Sequence, residues 1–512
     1  MGSSIKSDNS GSINSAIFRS GTFVLAGKMI RHILMYGTQL FLINLLAPQD
    51  FGMVRYVTIL VSFAILLNEM GLTTALVQKE KLYPEEIGVS FLLSLFWGLI
   101  LYAAVYISAP YAENFLNAEK LTTYLRTGAI VIIFSAATSV HNAILQRTMR
   151  YGMLAKIEAV AALVSASATI ALAALGYGAW ALVAGSLSYQ CTSAVIIMFT
   201  VKIPKPELIP FSRFKPLFYF GLGIILLRLC DYARYSIPFL ITGKFLNEAN
   251  LGLFSFAYDL AMLPRTIVHA IYGNVVLVSF SKFQNDPGSV NKSFASITIF
   301  ASLFAVPLLL TMSVMSEEVM QIICFLKKDS EWINAATPLR WMALTGVMYT
   351  LTIFPESLWI SKGKVGSTVM WNFLMFVTMM IATYVGLQWG LEGICIATLI
   401  RSIVVFALFL IINYRITAIS PLEYTRLFLP AFACSCFMIP VTLITISGIS
   451  WPSNWPRAVV LISGSLTGFT SYMLCLRFGF KSSFLQSLNL LSSLKSPKSA
   501  SIVDRVKKVL QL

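Results

Sequence analysis

Two arginines and an aspartate stand where charge is costly. Arg228, Asp231 and Arg234 fall midway along the apolar stretch Phe214–Thr242, in the run LFYFGLGIILLRLCDYARYSIPFLIT. A charge at the centre of a bilayer costs roughly 2.5–3.5 kcal/mol on insertion scales, so such groups face a protein interior or a water-filled cavity. At about 100° per helical residue, spacings of three and six confine them to an arc of about 120°. They share a face. Such a face either staples helices through an Arg–Asp–Arg network or receives an anion, because the planar guanidinium donates two parallel hydrogen bonds to a carboxylate or phosphate. Cations recur in other apolar stretches: Lys28 and Arg31, Arg55, Arg265 with His269 four residues on, and Arg401.

The elements that must carry these groups are membrane-spanning helices. The chain is 57% hydrophobic and only 12% charged, where a soluble domain has about a quarter of its residues charged. Apolar segments lie near 22–46, 51–70, 88–109, 127–145, 156–175, 178–201, 214–242, 251–281, 293–314, 338–360, 367–388, 391–413, 427–447 and 457–477. Each approaches or exceeds the roughly 20 helical residues that cross about 30 Å of hydrocarbon. The alternating ten-residue strands of a transmembrane barrel are absent. The expected fold is therefore all-α, with about fourteen transmembrane helices.

The net charge of +16 is distributed by loop and does not point to nucleic acid. Lys79 and Lys81, Arg147 and Arg150, Lys202 to Lys215, Lys282 and Lys292, Lys362 and Lys364, and the tail from Lys481 to Lys508 are basic. The loops between them, PQD at 48–50, AENFLNAE at 112–119 and SEE at 316–318, are acidic or neutral. Basic loops stay in the cytoplasm. Fourteen spans return the chain to its starting side, so both termini are expected there. The start, MGSSIKSDNSGSINSAIFRSG, has no apolar core or cleavage site, so the first helix is expected to be retained. Segment 502–510 reads as an amphipathic helix on the inner leaflet or as a solvated tail.

Enzymatic chemistry finds no home. The seven cysteines form no C-x-x-C pair, and His32, His141 and His269 are scattered. No metal or cofactor is implied. The longest outer loop, about 315–337, carries only Glu317, Glu318, Asp329 and Glu331, which read as solvated charges.

The chain also repeats itself. FLINLLAPQDFGMVRY at 41–56 is echoed by FLITGKFLNEANLGLFSF at 239–256, pairing Gly52 with Gly252, and GYGAWALVAGSL at 176–187 by LEGICIATLI at 391–400, pairing Gly178 with Gly393. Repeats holding an even number of helices share one orientation and are related by an axis along the membrane normal. The expected organisation is a tail at 1–21, one six-helix lobe at 22–201, a stiff cytoplasmic linker at 202–216 with four prolines, and a second lobe at 214–413. Two further helices at 427–477 and a cytoplasmic tail at 478–512 follow.

LLAPQDFGMVRYVTILVSFAILLNEMGLTTALVQK at 45–79 resembles the polysaccharide-transporter branch of the MOP (multidrug, oligosaccharidyl-lipid, polysaccharide) exporter superfamily, especially the WzxC-like flippases. AILQRTMRYGMLAKIEAV at 143–160, the segment 251–284 and GLEGICIATLIRSIV at 390–404 carry the same resemblance, which covers about 20–480. One departure is visible: the family commonly has a proline near Val276–Val278, where this chain reads NVVLVSFSKFQ.

The resemblance implies a two-lobed, MATE/MOP-like bundle in the bacterial cytoplasmic membrane. It implies a flippase, not an enzyme, that moves an undecaprenyl-diphosphate-linked oligosaccharide for exopolysaccharide, capsule or O-antigen assembly. A polymerase and glycosyltransferases of the same pathway would be its partners, besides membrane lipids, and Na+ or H+ a conceivable coupling ion. A diphosphate at the midplane needs compensating charge. Lys28, Arg31, Arg55, Arg228, Arg234, Arg265, His269 and Arg401 supply it, with Asp231 as companion; Lys28 and Arg55 also have the length to reach the membrane surfaces. Tyr36, Gln39, Asn68, Tyr232, Tyr235 and Tyr258 are unassigned candidates for sugar contact. A MATE-like cation antiporter, expected to carry intramembrane acids, and a membrane-embedded polysaccharide enzyme are the alternatives.

Overall fold

The computed structural model describes residues 31–69, 76, 77, 79, 83–204, 211–282, 287–324, 330–352, 359, 365–417, 419–448, 457–481 and 485. Among them there is no strand, helices overlie all fourteen apolar segments, and nine helical stretches are long and apolar enough to cross a membrane. The chain divides into two compact units, Met1–Ser255 and Phe256–Leu512. Lys28, residues 205–210 of the linker expected at 202–216 and the tail at 502–510 lie outside the described residues, and a helix already begins within that linker at Phe211.

The first unit holds α1 (31–42), α2 (Pro48–Glu69), α3 (Pro84–Leu116), α4 (Leu121–Gly128), α5 (Ile130–Arg147), α6 (Tyr151–Ala174), α7 (Ala179–Thr200), α8 (Phe211–Leu246) and the start of α9 (Glu248–Lys282). Small residues set its helix spacing, since lipid gives no hydrophobic drive for helices to associate and close backbone approach must supply dispersion instead. A Cβ on Gly185 of α7 would fall 1.9 Å from the Thr169 hydroxyl of α6. The repeat-related glycines meet each other: a Cβ on Gly52 would fall 1.9 Å from the Glu248 carbonyl oxygen, and one on Gly252 1.9 Å from the Pro48 carbonyl oxygen. Glu86 is buried at the base of α3, where it takes an ion pair from Lys79 at 2.5 Å.

The second unit holds the rest of α9, α10 (Pro287–Val314), α11 (Ser316–Ile323), α12 (Ala336–Leu351), α13 (Val365–Gly386), α14 (Gly390–Thr417), α15 (Pro421–Arg426), α16 (Leu429–Leu443) and α17 (Arg457–Gly479). Trp359, Trp371, Phe409, Tyr424, Phe294 and Phe428 belong to one buried cluster of its core, and a second cluster, around Leu303, Val306, Leu309 and Val347, is largely aliphatic. The buried Tyr424 hydroxyl donates to the Leu351 carbonyl at 2.5 Å, and Trp359 Nε1 to Asn413 Oδ1 at 3.2 Å, so the polar tips are satisfied. Gly386 and Gly393 let α13 and α14 touch at their shared turn, where Gly390 takes φ +69°, a conformation that favours glycine. In both units the outward helix faces expose Leu, Ile and Phe, as hydrocarbon requires. α9 runs unbroken through Val276–Val278, and its one internal proline is Pro264.

Candidate functional site

In the first unit α2 and α8 lie side by side, and between them they carry Arg55, Glu69, Arg228, Asp231 and Arg234. Tyr56, Val57, Ile59, Val61 and Ala64 of α2 are buried, and Tyr56 packs against Gly243 of α8, where a Cβ would fall 2.2 Å from its hydroxyl. Arg55 lays its guanidinium over the Phe239 ring at 4.0 Å and within 3.5 Å of the Tyr235 hydroxyl. Tyr232 donates its hydroxyl to the Ile59 carbonyl, tying the two helices together.

The arginines of α8 do not share one acid. Arg228 reaches across to Glu69 at the end of α2, whereas Arg234 turns back to Asp231 on its own helix. Of the two readings of this face, an Arg–Asp–Arg network does not form: two separate pairs take its place, with Arg234 on Asp231 and Arg228 projecting towards α2. Side-chain exposure is 46% and 41% for Arg228 and Glu69, and 31% and 59% for Arg234 and Asp231. Exposed pairs contribute about 0–1 kcal/mol to stability, too little for a staple. Charge in an apolar span is costly wherever it meets hydrocarbon, which marks this exposed edge as the candidate site.

Arg31 on α1 lies 3.9 Å from Glu158 of α6. Sequence reasoning passed over both glutamates. Glu158 lies two residues after Lys156, and Glu69 sits in the last turn of an apolar segment, where the argument applied to the arginines should have found it. Asn68, a sugar candidate, is buried and donates to Ser94 Oγ at 3.5 Å. Of the tyrosine candidates on α8, Tyr232 is tied to Ile59 while Tyr235 is 42% exposed.

In the second unit, half-buried Arg265 and exposed His269 stand one turn apart on α9. Arg401 on α14 is 7% exposed. Its Nε donates to Thr378 Oγ1 at 3.1 Å, Nη1 to the Tyr349 hydroxyl at 3.3 Å and Nη2 to the Met375 carbonyl at 2.9 Å. These partners sit on α13 and α12, so the guanidinium joins three helices. Beside it a groove of about 740 Å³ is walled by Ile381, Val385, Ile396, Ile400, Val404 and Leu408. Among the described residues no cluster of His, Cys, Asp or Glu fits a metal ion. Cys324, between the spans, has its thiol pushed up by burial, which holds it neutral rather than as a nucleophilic thiolate.

The chain is similar to the lipopolysaccharide biosynthesis protein WzxC of Escherichia coli, at 20% identity over 71% of this chain and 74% of that one. It is similar to the succinoglycan biosynthesis transport protein ExoT of Rhizobium meliloti, at 22% identity over 69% of each. Among solved structures it superposes on the lipid II flippase MurJ in an inward closed conformation, with a TM-score of 0.72 at 15% identity, over 91% of this chain and 99% of that one. The family described as polysaccharide biosynthesis protein matches residues 41–332, more than half of the sequence. With that match and an all-helical, multi-pass fold of the MOP type, the chain belongs to the polysaccharide biosynthesis protein family, as a membrane transporter and not an enzyme.

Proposed function

We propose that the protein is a flippase that carries an undecaprenyl-diphosphate-linked oligosaccharide from the inner to the outer leaflet of the cytoplasmic membrane, for polysaccharide assembly. The observation that carries this reading is the α2–α8 edge, where Arg55, Arg228, Asp231, Arg234 and Glu69 stand together and partly exposed in apolar spans, an arrangement that is costly unless it faces water. The roles of WzxC and ExoT in polysaccharide biosynthesis, and the flippase MurJ sharing the fold, support it. In this scheme Lys28, Arg31, Arg265 and His269 extend the cationic lining, and Arg401 braces the second unit. Both termini are cytoplasmic, and the repeats at 22–201 and 214–413 supply alternating access.

The test is reconstitution in liposomes loaded with an undecaprenyl-diphosphate-linked oligosaccharide, with leaflet exposure read by an impermeant periodate label. The protein is expected to equilibrate the lipid between leaflets, and Arg228→Ala and Arg234→Ala to slow it at least about tenfold at equal protein content. No transfer by the wild-type chain, together with undiminished polysaccharide export from cells that lack it, overturns the reading.

A further inference from the structure

We propose that the exposed α2–α8 edge, with Phe63, Tyr235 and the pairs Glu69–Arg228 and Asp231–Arg234, contacts the saccharide of the cargo and not its diphosphate; this rests on the lipid-linked-glycan reading above.

Charge argues against the phosphate. Both arginines already hold a carboxylate. A diphosphate taking either one would sit beside the Glu69 or Asp231 carboxylate with about two further negative charges, and like charges within reach are mutually destabilising. A neutral glycan meets no such conflict. Its hydroxyls donate to the spare lone pairs of the carboxylates and accept from the spare guanidinium N–H groups, so both ion pairs stay intact.

The rings argue for the sugar. Phe63 and Tyr235 are 43% and 42% exposed. Each packs against another ring: Phe63 stands 6.1 Å from the Tyr232 ring, and Tyr235 5.4 Å from Phe239, with the Arg55 guanidinium 5.8 Å from the Tyr235 ring and 4.0 Å from that of Phe239. Their outer faces are electron-rich and suit the C–H face of a pyranose, whose hydrogens carry partial positive charge. Lipid is not the alternative occupant, because the charged groups on the same edge exclude it. Asp231 and Tyr235 are one helical turn apart, about 5–6 Å between Cβ atoms, so a single hexose can stack on the ring and hydrogen-bond the pair together.

The test measures binding to the purified full chain in nanodiscs by native mass spectrometry. One probe is the lipid-linked glycan that accumulates in source cells deprived of the protein; the other is undecaprenyl diphosphate without sugar. Wild type is expected to bind the glycan-bearing lipid more tightly. Tyr235→Leu and Phe63→Leu should each weaken it about tenfold and leave the sugar-free lipid unchanged, with Tyr235→Phe recovering most of the loss. Glu69→Gln should weaken only the glycan-bearing lipid; at a phosphate subsite it would instead tighten the sugar-free one by removing a negative charge. Equal weakening of both lipids, or no change in either, overturns the proposal. Wild-type protein that binds neither probe overturns the flippase reading itself, a result separable from the others. Equal melting temperatures guard against misfolding.

Discussion

Arg228 and Arg401 are the same residue type in the same kind of segment, an apolar helix of more than twenty residues, and they are used in opposite ways. Arg401 is 7% exposed, and its nitrogens are spent on a hydroxyl, a phenol and a carbonyl from two neighbouring helices. Its neutral partners leave the positive charge in place but supply directed hydrogen bonds, so removing it strands acceptors in low dielectric. Arg228 is nearly half exposed and holds one carboxylate across a helix interface. Charge in a span therefore has two solutions, dry and fully bonded or wet and singly paired, and only the second leaves hydrogen-bonding capacity for a cargo.

The largest contrast should come from truncation. Arg401→Ala is expected to lower stability by about 3 kcal/mol, through a cavity and lost bonds, and to reduce folded yield in detergent. Arg228→Ala should cost less than about 1 kcal/mol while export falls sharply. Thermal melts beside export assays check both. If Arg228→Ala melts as early as Arg401→Ala, the comparison breaks and both arginines are staples.

Lysine substitution sharpens it. Arg401→Lys keeps the charge but loses the fork that reaches α12 and α13 together, for an expected loss of about 1–2 kcal/mol. Arg234→Lys should melt near wild type and reduce flipping. Asp231→Asn should be milder in transport, and a stability loss exceeding that of Arg234→Lys would mark a structural network.

Reversing the wet pair gives a smaller effect. Arg228→Glu combined with Glu69→Arg should recover any stability lost by the single changes, with a coupling of about 0.2–1 kcal/mol in a double-mutant cycle. Export is expected to stay low, because the geometry offered to the cargo has changed. The smallest effect is salt: raising ionic strength from about 0.1 to 1 M shortens the screening length from about 10 to 3 Å. That should erase the melting difference between Arg228→Ala and wild type while leaving that of Arg401→Ala intact.

Much of this was legible in the residues. Fourteen apolar segments announce fourteen helices because each is one continuous run of hydrocarbon-compatible side chains, and pairing every backbone amide within a helix is the direct way to cross a bilayer. The repeat pairs Gly52 with Gly252, and the structure sets them face to face. The arginine-bearing face of α8 is readable from helical spacing. The division of labour on it is not. Asp231 lies three residues from each of two arginines, and the sequence treats them as equals. Only the position of α2 beside α8 gives Arg228 a second acid in Glu69.

The sequence by itself determined the solvent each helix must meet, the family, and the positions of the costly charges, because these follow from side-chain polarity and spacing along one element. Tertiary structure decided which charges are wet and which are dry. Exposure and pairing depend on what the neighbouring helix presents at the same depth, as Glu69 does to Arg228, and as Thr378, Met375 and Tyr349 do to Arg401. Those neighbours lie between 23 and 159 residues away along the chain, beyond the reach of any helical period.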